Sequence, residues 1–127
     1  MELSLEQKGP FAPPPVLSGP CQRVAKTVAS WPGVIAAAHW HLYRENSVDG
    51  ADFYVGTREL GHIHLDGDVH LATDKTLHDA FLTSGEAERF PYGGTYATWT
   101  LLHIDSEADA DKAIRLIRRN YDRLAAL

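Results

Sequence analysis

The segment "RELGHIHLDGDVHL" (Arg58–Leu71) decides how the fold is organised, because it has the pattern of two β-strands joined by an Asp-Gly turn. It places three histidines within nine residues, and the length of the turn determines which way they point. A two-residue Asp66-Gly67 turn would put His70 on the opposite face of the hairpin from His64. Imidazole and aliphatic side chains would then mix on both faces.

A three-residue turn, Asp66–Asp68, instead pairs Leu65 with Val69 and His64 with His70. That register separates the two kinds of side chain: Ile63, Leu65, Val69 and Leu71 share one face, and His62, His64 and His70 share the other. An antiparallel strand usually buries one face, and a slip of one residue reverses it. We therefore predict the three-residue turn.

The chain before this hairpin shows the same alternation. From Val34 the hydrophobic pattern has a period of two, which indicates a strand through "VIAAAHWHLY", and "DFYVG" indicates another. Alternation places His39, His41, Tyr43 and Tyr54 on the histidine side, opposite Trp40, Phe53 and Val55. If these strands are neighbours, one face of the sheet gathers histidines and tyrosines, and the helices cover the other face.

Three helices complete the pattern. The first begins near Pro20 and ends at Pro32-Gly33. The second has Asp74 as its N-cap and ends at Gly85. A further strand follows at 96–104, and the Ser106–Asp109 capping box opens the last helix. The order α-β-β-β-β-α-β-α predicts an α+β fold with two layers: a mostly antiparallel sheet of about five strands, with helices packed on one face.

The first 20 residues have a different composition from the rest. They hold five prolines, which fix φ and lack an amide donor, so we predict an extended arm over residues 1–20. Residues 21–127 are then one domain, large enough to bury a hydrophobic core.

Charge argues against nucleic acid as a partner. The net charge is -5, and residues 51–105 hold three basic against nine acidic side chains. Such a surface repels phosphate, on which nucleic-acid affinity depends. The basic residues near the C-terminus (Arg115, Arg118, Arg119 and Arg123) are predicted to form a solvated helix face.

Several other classes are also disfavoured. Cys21 is the only cysteine, so an intramolecular disulfide and a thiolate metal cluster are excluded within one chain. There is no apolar run of about 18 residues and no signal peptide at the N-terminus. We therefore expect no membrane partner and a cytoplasmic location.

The first interpretation of the histidine face is a metal site. Two H-x-H pairs on adjacent strands can offer several imidazole nitrogens to zinc, iron or copper, and the candidates are His41, His62, His64 and His70. Against this interpretation, we expect no Asp or Glu on the same face to orient these rings.

The second interpretation is an enzyme, which uses His62 and His64 with His70 or His41. A histidine would act as acid or base, while Tyr43, Tyr54 or Arg58 holds an anionic or carbonyl group. The third interpretation, which we favour, is a half-wet surface that binds a small polar molecule, a protein partner or a second copy of the chain. It requires no cofactor.

Five segments in a fixed order resemble a known family. They are "WPGV" (31–34), "FYVGTRELGHIH" (53–64), "LHDAFLTSGEAE" (77–88), the lone Trp99 in a strand, and "SEADADKAIRLIRRNY" (106–121). This series resembles the small proteins called the luciferase domain, which have no established activity. The resemblance implies a shared site at Arg58, Glu59, Gly61, His62 and His64, with Arg58, Glu59 and the two histidines as catalytic candidates.

The chain departs from that family before the last strand. Many members carry a pair of histidines and a Pro-x-Ser-Gly-Trp run there, whereas this chain has "RFPYGGTYATW", so Tyr92 or Tyr96 would take their place. The predicted ligand-binding residues are thus His39, His41, Tyr43, Tyr54, His62, His64, His70, Tyr92 and Tyr96. The layout is also similar to double-wing domains of the MmcQ/YjbR type, which implies nucleic-acid binding as a third function.

Overall fold

The structure, a computed structural model, describes residues 12–41, 44 and 47–127. In chain order its elements are α1 (Pro20–Ala29), β1 (Val34–Trp40), β2 (Val48–Val55), β3 (Arg58–His64), β4 (Asp68–Leu71), α2 (Lys75–Ser84), β5 (Glu88–Arg89), a 3₁₀ turn (Gly94–Tyr96), β6 (Thr100–His103) and α3 (Glu107–Ala125).

Within these residues, six strands form one sheet in the order β1-β2-β3-β4-β6-β5, and every neighbouring pair is antiparallel. The predicted α+β class and the order of helices and strands are confirmed. The sheet has one strand more than expected, because the two-residue β5 pairs with β6 inside a segment predicted to be a loop.

The three helices pack on one face of the sheet and bury an apolar core with it. Val24 and Val28 of α1, Phe81 of α2 and Leu116 of α3 are all fully buried there. The caps are those predicted: Asp74 accepts a hydrogen bond from the amide of Leu77, and Ser106 forms a capping box with Asp109. Burial of these apolar side chains drives the helices onto the sheet.

The β3–β4 hairpin keeps the predicted faces but not the predicted partners. His62 pairs with His70 and Ile63 with Val69, so the expected pairing of His64 with His70 is wrong by two residues. The three turn residues are 65–67 rather than 66–68. The amide of Gly67 donates to His64 O, and that of Asp68 donates to Asp66 Oδ1. The turn length stays odd, so the histidines still share a face, but Leu65 is 52% exposed.

The predicted strand at 96–104 is shorter than expected. Tyr96 lies in the 3₁₀ turn, and the strand begins only at Thr100. Gly93 precedes that turn and Gly94 begins it, and residues 91–97 are exposed. This segment is therefore a projecting loop that leads into the sheet.

Other predictions fall at the edges of the described chain. Tyr43 and residues 1–11 of the predicted arm lie outside the described residues, and the division into an arm and a domain stays a prediction. The amide of Ala38 in β1 donates to the carbonyl of Ala12. In α3, Arg115, Arg118 and Arg119 are exposed as predicted. None of the helices in the described segments is long and apolar enough to cross a membrane.

Candidate histidine and carboxylate site

Four imidazole rings pack together on the face of the sheet that the helices leave open. We call them the histidine cluster: His39 from β1, His62 and His64 from β3, and His70 from β4. The His39 and His62 rings stack with centroids 3.9 Å apart. His62 Nε2 lies 3.0 Å from His70 Nδ1, and His64 Nε2 lies 3.2 Å from the same atom. The predicted convergence of His62, His64 and His70 is thus observed, and His39 joins them.

Three carboxylates surround the cluster, so the expectation that no acid shares this face is wrong. Glu59 Oε2 lies 2.9 Å from His62 Nδ1, and Asp49 Oδ2 lies 2.8 Å from His64 Nδ1. Asp52 Oδ2 lies 3.4 Å from His39 Nδ1. Each of these three histidines therefore has a carboxylate at Nδ1.

Irregular strands bring two of these acids onto the histidine face. In a regular strand, residues three apart point to opposite faces, yet Glu59 and His62 share one. The pairing of β2 with β3 shifts between Phe53 and Tyr54, and this bulge contains Gly61, with φ of 155°. The pairing of β1 with β2 shifts near Gly50, which has φ of 140°. That second bulge turns Asp49 toward His64.

Helix α3 supports the Gly61 bulge from the other side of the sheet. Asn120 is fully buried, and its Nδ2 donates to the carbonyls of Leu60, at 3.0 Å, and Ala72, at 3.3 Å. Arg123 donates to Asn120 Oδ1 and to Ala72 O. The bulge that carries Glu59 is therefore anchored by a polar contact inside an otherwise apolar layer.

The two buried acids differ in how burial and hydrogen bonds shift their pKa. Burial and the hydrogen bond to Asp52 raise the pKa of Glu59. Burial also acts to raise the pKa of Asp52, but hydrogen bonds with Glu59, His39 and His62 outweigh it and hold that pKa well below its usual range. Tyr54 is fully buried and donates its hydroxyl to Asp52 Oδ2 at 3.2 Å. The surroundings therefore favour the ionised form of Asp52 and the neutral form of Glu59.

The pKa values of His62, His70 and His39 are shifted in different directions. Burial lowers the pKa of His62, but hydrogen bonds to Asp52 and Glu59 outweigh it and raise that pKa to about 9. Burial and the neighbouring charge of His62 lower the pKa of His70 to about 3. Burial likewise lowers the pKa of His39. In the metal-free protein, His62 therefore donates Nδ1–H to Glu59 and Nε2–H to His70.

An aromatic group borders the cluster. Phe90 contacts the His70 ring at 4.6 Å, and Trp99 contacts the His62 ring at 5.9 Å, both measured between centroids. Tyr92 and Tyr96, predicted as ligand-binding residues, both contact Phe90, at 5.2 and 6.1 Å. Phe90 therefore lies between these tyrosines and His70, and their role in ligand binding stays a prediction.

Two other predicted site residues lie at the margin. Arg58 is exposed at the first position of β3. His41 follows the end of β1, and its amide donates to Ser47 O. His39, two residues earlier, makes ring contacts with His62 and His64.

The cluster can hold a metal ion. His39, His62 and His64 each offer a nitrogen, and these atoms lie within 4.8 Å of one another. A second set, Asp52, Glu59 and His62, meets the same criterion but is already joined by hydrogen bonds. The histidine set is the better candidate because each of its rings has a carboxylate at Nδ1, an arrangement typical of histidines that bind a metal.

Reasoning from strand alternation missed all three carboxylates, for different reasons, and only the family resemblance named Glu59 as a site residue. Asp52 lies two residues before Tyr54, so strand alternation was enough to place it on the histidine face. Glu59 and Asp49 have no such signal, since a regular strand would turn each of them away. Their positions depend on the two bulges.

The comparisons with known proteins agree with the first of the two likenesses. A family model described as the luciferase domain matches residues 57–120, half of the chain. The chain belongs to the luciferase-domain family. No curated protein and no solved structure matches it. The likeness to double-wing domains stays a prediction.

The luciferase-domain match covers β3 to most of α3 and includes Glu59, His62, His64 and His70. It also includes the aromatic group. Asp49 and Asp52 lie on β2, before the matched segment. The site of this luciferase-domain protein therefore joins the family segment to the strands that precede it.

Proposed function

We propose that the histidine cluster binds one divalent transition-metal ion, with zinc the best fit, and that the bound ion takes a small polar molecule from solvent. The observation that carries this proposal is the arrangement around His70 Nδ1. The Nε2 atoms of His62 and His64 both face it, while the Nδ1 of each ring points to a carboxylate. Histidines that bind a metal typically hold a carboxylate or carbonyl at their second nitrogen.

The distances support an ion of zinc size. Zinc–nitrogen bonds of about 2.0–2.1 Å place tetrahedral ligand nitrogens about 3.3–3.4 Å apart. The nitrogen separations of 3.0 and 3.2 Å at His70 are close to that value. His62 and His64 lie close to His39 and also face His70. We therefore propose them as ligands, with His70 or His39 completing the site.

Charge supports the same ion. A buried charge is stable only where groups of opposite charge lie close to it. Asp49 beside His64, and Asp52 beside His39 and His62, place carboxylates close to the proposed ligands. His64 keeps a side-chain exposure of 19%, so solvent reaches one side of the cluster.

The site could also support catalysis. Zinc with three protein ligands keeps a position for water, and it lowers the pKa of that water to about 7. This is the enzyme interpretation in its metal-dependent form. Catalysis, a protein or second-copy partner, and a cytoplasmic location stay predictions.

The test is a zinc titration of protein purified without a histidine tag, followed by calorimetry. We expect one zinc ion per chain, and His64→Ala should weaken binding by about 100-fold or more. His103→Ala, which removes an exposed histidine outside the cluster, is the matched control and should leave the affinity unchanged. Cobalt in place of zinc should give visible absorption bands typical of a tetrahedral nitrogen site. Absence of saturable binding in the wild type, or equal loss in the two variants, would refute the proposal.

The outer carboxylate can be tested separately. Asp49→Asn keeps the shape of the side chain but weakens its hydrogen bond with His64, so zinc affinity should fall about 10–100-fold. Asp111→Asn, at an exposed position on α3, should have no effect on zinc affinity. A titration in which both variants match the wild type would remove Asp49 from the site.

A further inference from the structure

The aromatic group beside the histidine cluster has no role in the proposed metal site, although it adjoins that site directly. We call it the aromatic wall: Phe90, Tyr92, Tyr96 and Trp99. Phe90 and Trp99 are only 7% and 6% exposed, whereas Tyr92 and Tyr96 are 64% and 42% exposed. Two buried rings thus anchor two rings that extend into solvent.

The rings of the wall meet edge to face rather than face to face. Phe90 and Tyr92 meet at 68°, and Tyr96 and Trp99 meet at 83° with centroids 5.0 Å apart. The exposed fractions of Tyr92 and Tyr96 leave ring surface that another aromatic ring can contact. Tyr side chains at an exposed edge of a pocket provide rigid contact area at a low cost in conformational entropy.

The wall is continuous with the cluster. Phe90 contacts the His70 ring at 4.6 Å, and Trp99 contacts the His62 ring at 5.9 Å. A molecule that stacks on the tyrosines would therefore extend toward the nitrogens of His64 and His70. One end of the site offers aromatic surface, and the other offers a metal ion or imidazole donors.

We infer that the ligand of this site is a planar aromatic molecule that carries a phenol or carboxylate oxygen. Its ring packs on Tyr92 and Tyr96, and its oxygen binds at the histidine cluster. The inference rests on the proposed function for the identity of the group that binds the oxygen. The inference goes beyond the proposed function because it names the class of ligand and the residues that select that ligand.

The test compares benzoate with its saturated counterpart, cyclohexanecarboxylate, by calorimetry on the zinc-loaded protein. The two probes share one oxygen donor, the carboxylate, so a difference in affinity reports the ring. We expect the aromatic probe to bind about three- to tenfold more tightly, a preference that stacking of one ring supplies. Quenching of tryptophan fluorescence from Trp99 gives an independent readout.

Paired variants assign the preference to the wall. Tyr92→Ser with Tyr96→Ser removes both exposed rings, and it should abolish the preference for the aromatic probe without changing zinc affinity. Tyr92→Phe with Tyr96→Phe keeps the rings and should retain the preference. The serine variant also loses ring contacts with the buried Phe90 and Trp99, which the phenylalanine variant keeps, so thermal melts of both variants check that the fold is intact. Equal binding of the two probes by the wild type, or a preference that persists in the serine variant, would overturn the inference.

The same titrations separate this inference from the metal proposal. If the wild type binds no zinc, the proposed function fails, and the comparison of probes is repeated on the metal-free protein. A preference for the aromatic probe that the serine variant loses would then still support the wall, with imidazole donors binding the oxygen. Loss of the preference in both forms would refute the wall whatever the zinc result.

Discussion

The two faces of the sheet are built from the same strands but are held together by different interactions. On the helix-covered face, Phe53, Ile63 and Val69 join an apolar core in which packing is non-directional. On the open face, His62 sits one residue before Ile63, and its environment is a chain of hydrogen bonds with specific partners. The first face tolerates exchange of similar volumes, and the second requires each partner in place.

The two faces are connected through the backbone. The bulges at Gly50 and Gly61 turn Asp49 and Glu59 toward the open face. Asn120 of the helix layer donates a hydrogen bond to the carbonyl of Leu60, next to Gly61. A substitution should therefore affect one face, both faces or neither, according to whether it lies in the core, at a bulge or on the exposed surface.

The largest effect is expected in the core. Phe81→Ala should lower the free energy of unfolding by about 3–5 kcal/mol, because a fully buried ring is replaced by a cavity. Zinc affinity should stay unchanged, since Phe81 lies on the helix-covered side. Urea denaturation and a zinc titration measure the two quantities. Phe81→Leu is the milder control, and a parallel loss of zinc affinity would show that the faces are not independent.

A substitution at a bulge should affect both faces. An added Cβ at Gly50 would lie 1.9 Å from the backbone oxygen of Ile63, and φ of 140° is strained for any other residue. Gly50→Ala should therefore cost about 2–4 kcal/mol and weaken zinc binding through Asp49. Gly93→Ala has open space around its Cβ and should stay within about 0.5 kcal/mol. Thermal melts of both variants, with and without zinc, would measure these changes.

The two buried acids should respond differently to the loss of charge. Asp52→Asn removes the ionised member of the pair and should cost about 1.5–3 kcal/mol at neutral pH. Glu59→Gln should cost less than Asp52→Asn, because burial and the hydrogen bond to Asp52 raise the pKa of Glu59 and so favour its neutral form. Denaturation of the metal-free variants at pH 7 measures both costs. A larger cost for Glu59→Gln than for Asp52→Asn would contradict this order.

The smallest effect is expected at His103, at the end of β6. The hydrogen bond to Asp68 raises the pKa of His103, burial opposes this rise, and a hydrogen bond to Asp105 adds to it. The protonated ring thus favours the folded state, with a stabilisation fully present below the unfolded pKa of 6.5 and lost as pH rises through the raised pKa. His103→Gln should lower the free energy of unfolding by less than about 1 kcal/mol at about pH 5.5, and it should have no effect at about pH 8.5. A gap that widens with pH would contradict this sign.

Much of the difference between the two faces could be predicted from the sequence. Alternation of apolar and polar residues in β3 and β4 placed His62, His64 and His70 on one face, and this was confirmed although the register differed by two residues. Both registers have an odd turn, and only the parity of the turn controls the face. The same reasoning extended to Asp52 would have placed the first acid on the histidine face.

The sequence by itself therefore determined the α+β class, the order of elements, the caps of α2 and α3 and the histidine face, because these depend on periodicity and on contacts between near neighbours in the chain. The tertiary structure alone decided that Glu59 and Asp49 turn toward the histidines and that Phe90 and Trp99 border them. Those positions depend on where neighbouring strands slip past each other. The position of a bulge depends on the pairing of two strands and on their contacts with a helix, and no local sequence pattern in any one of these elements specifies it.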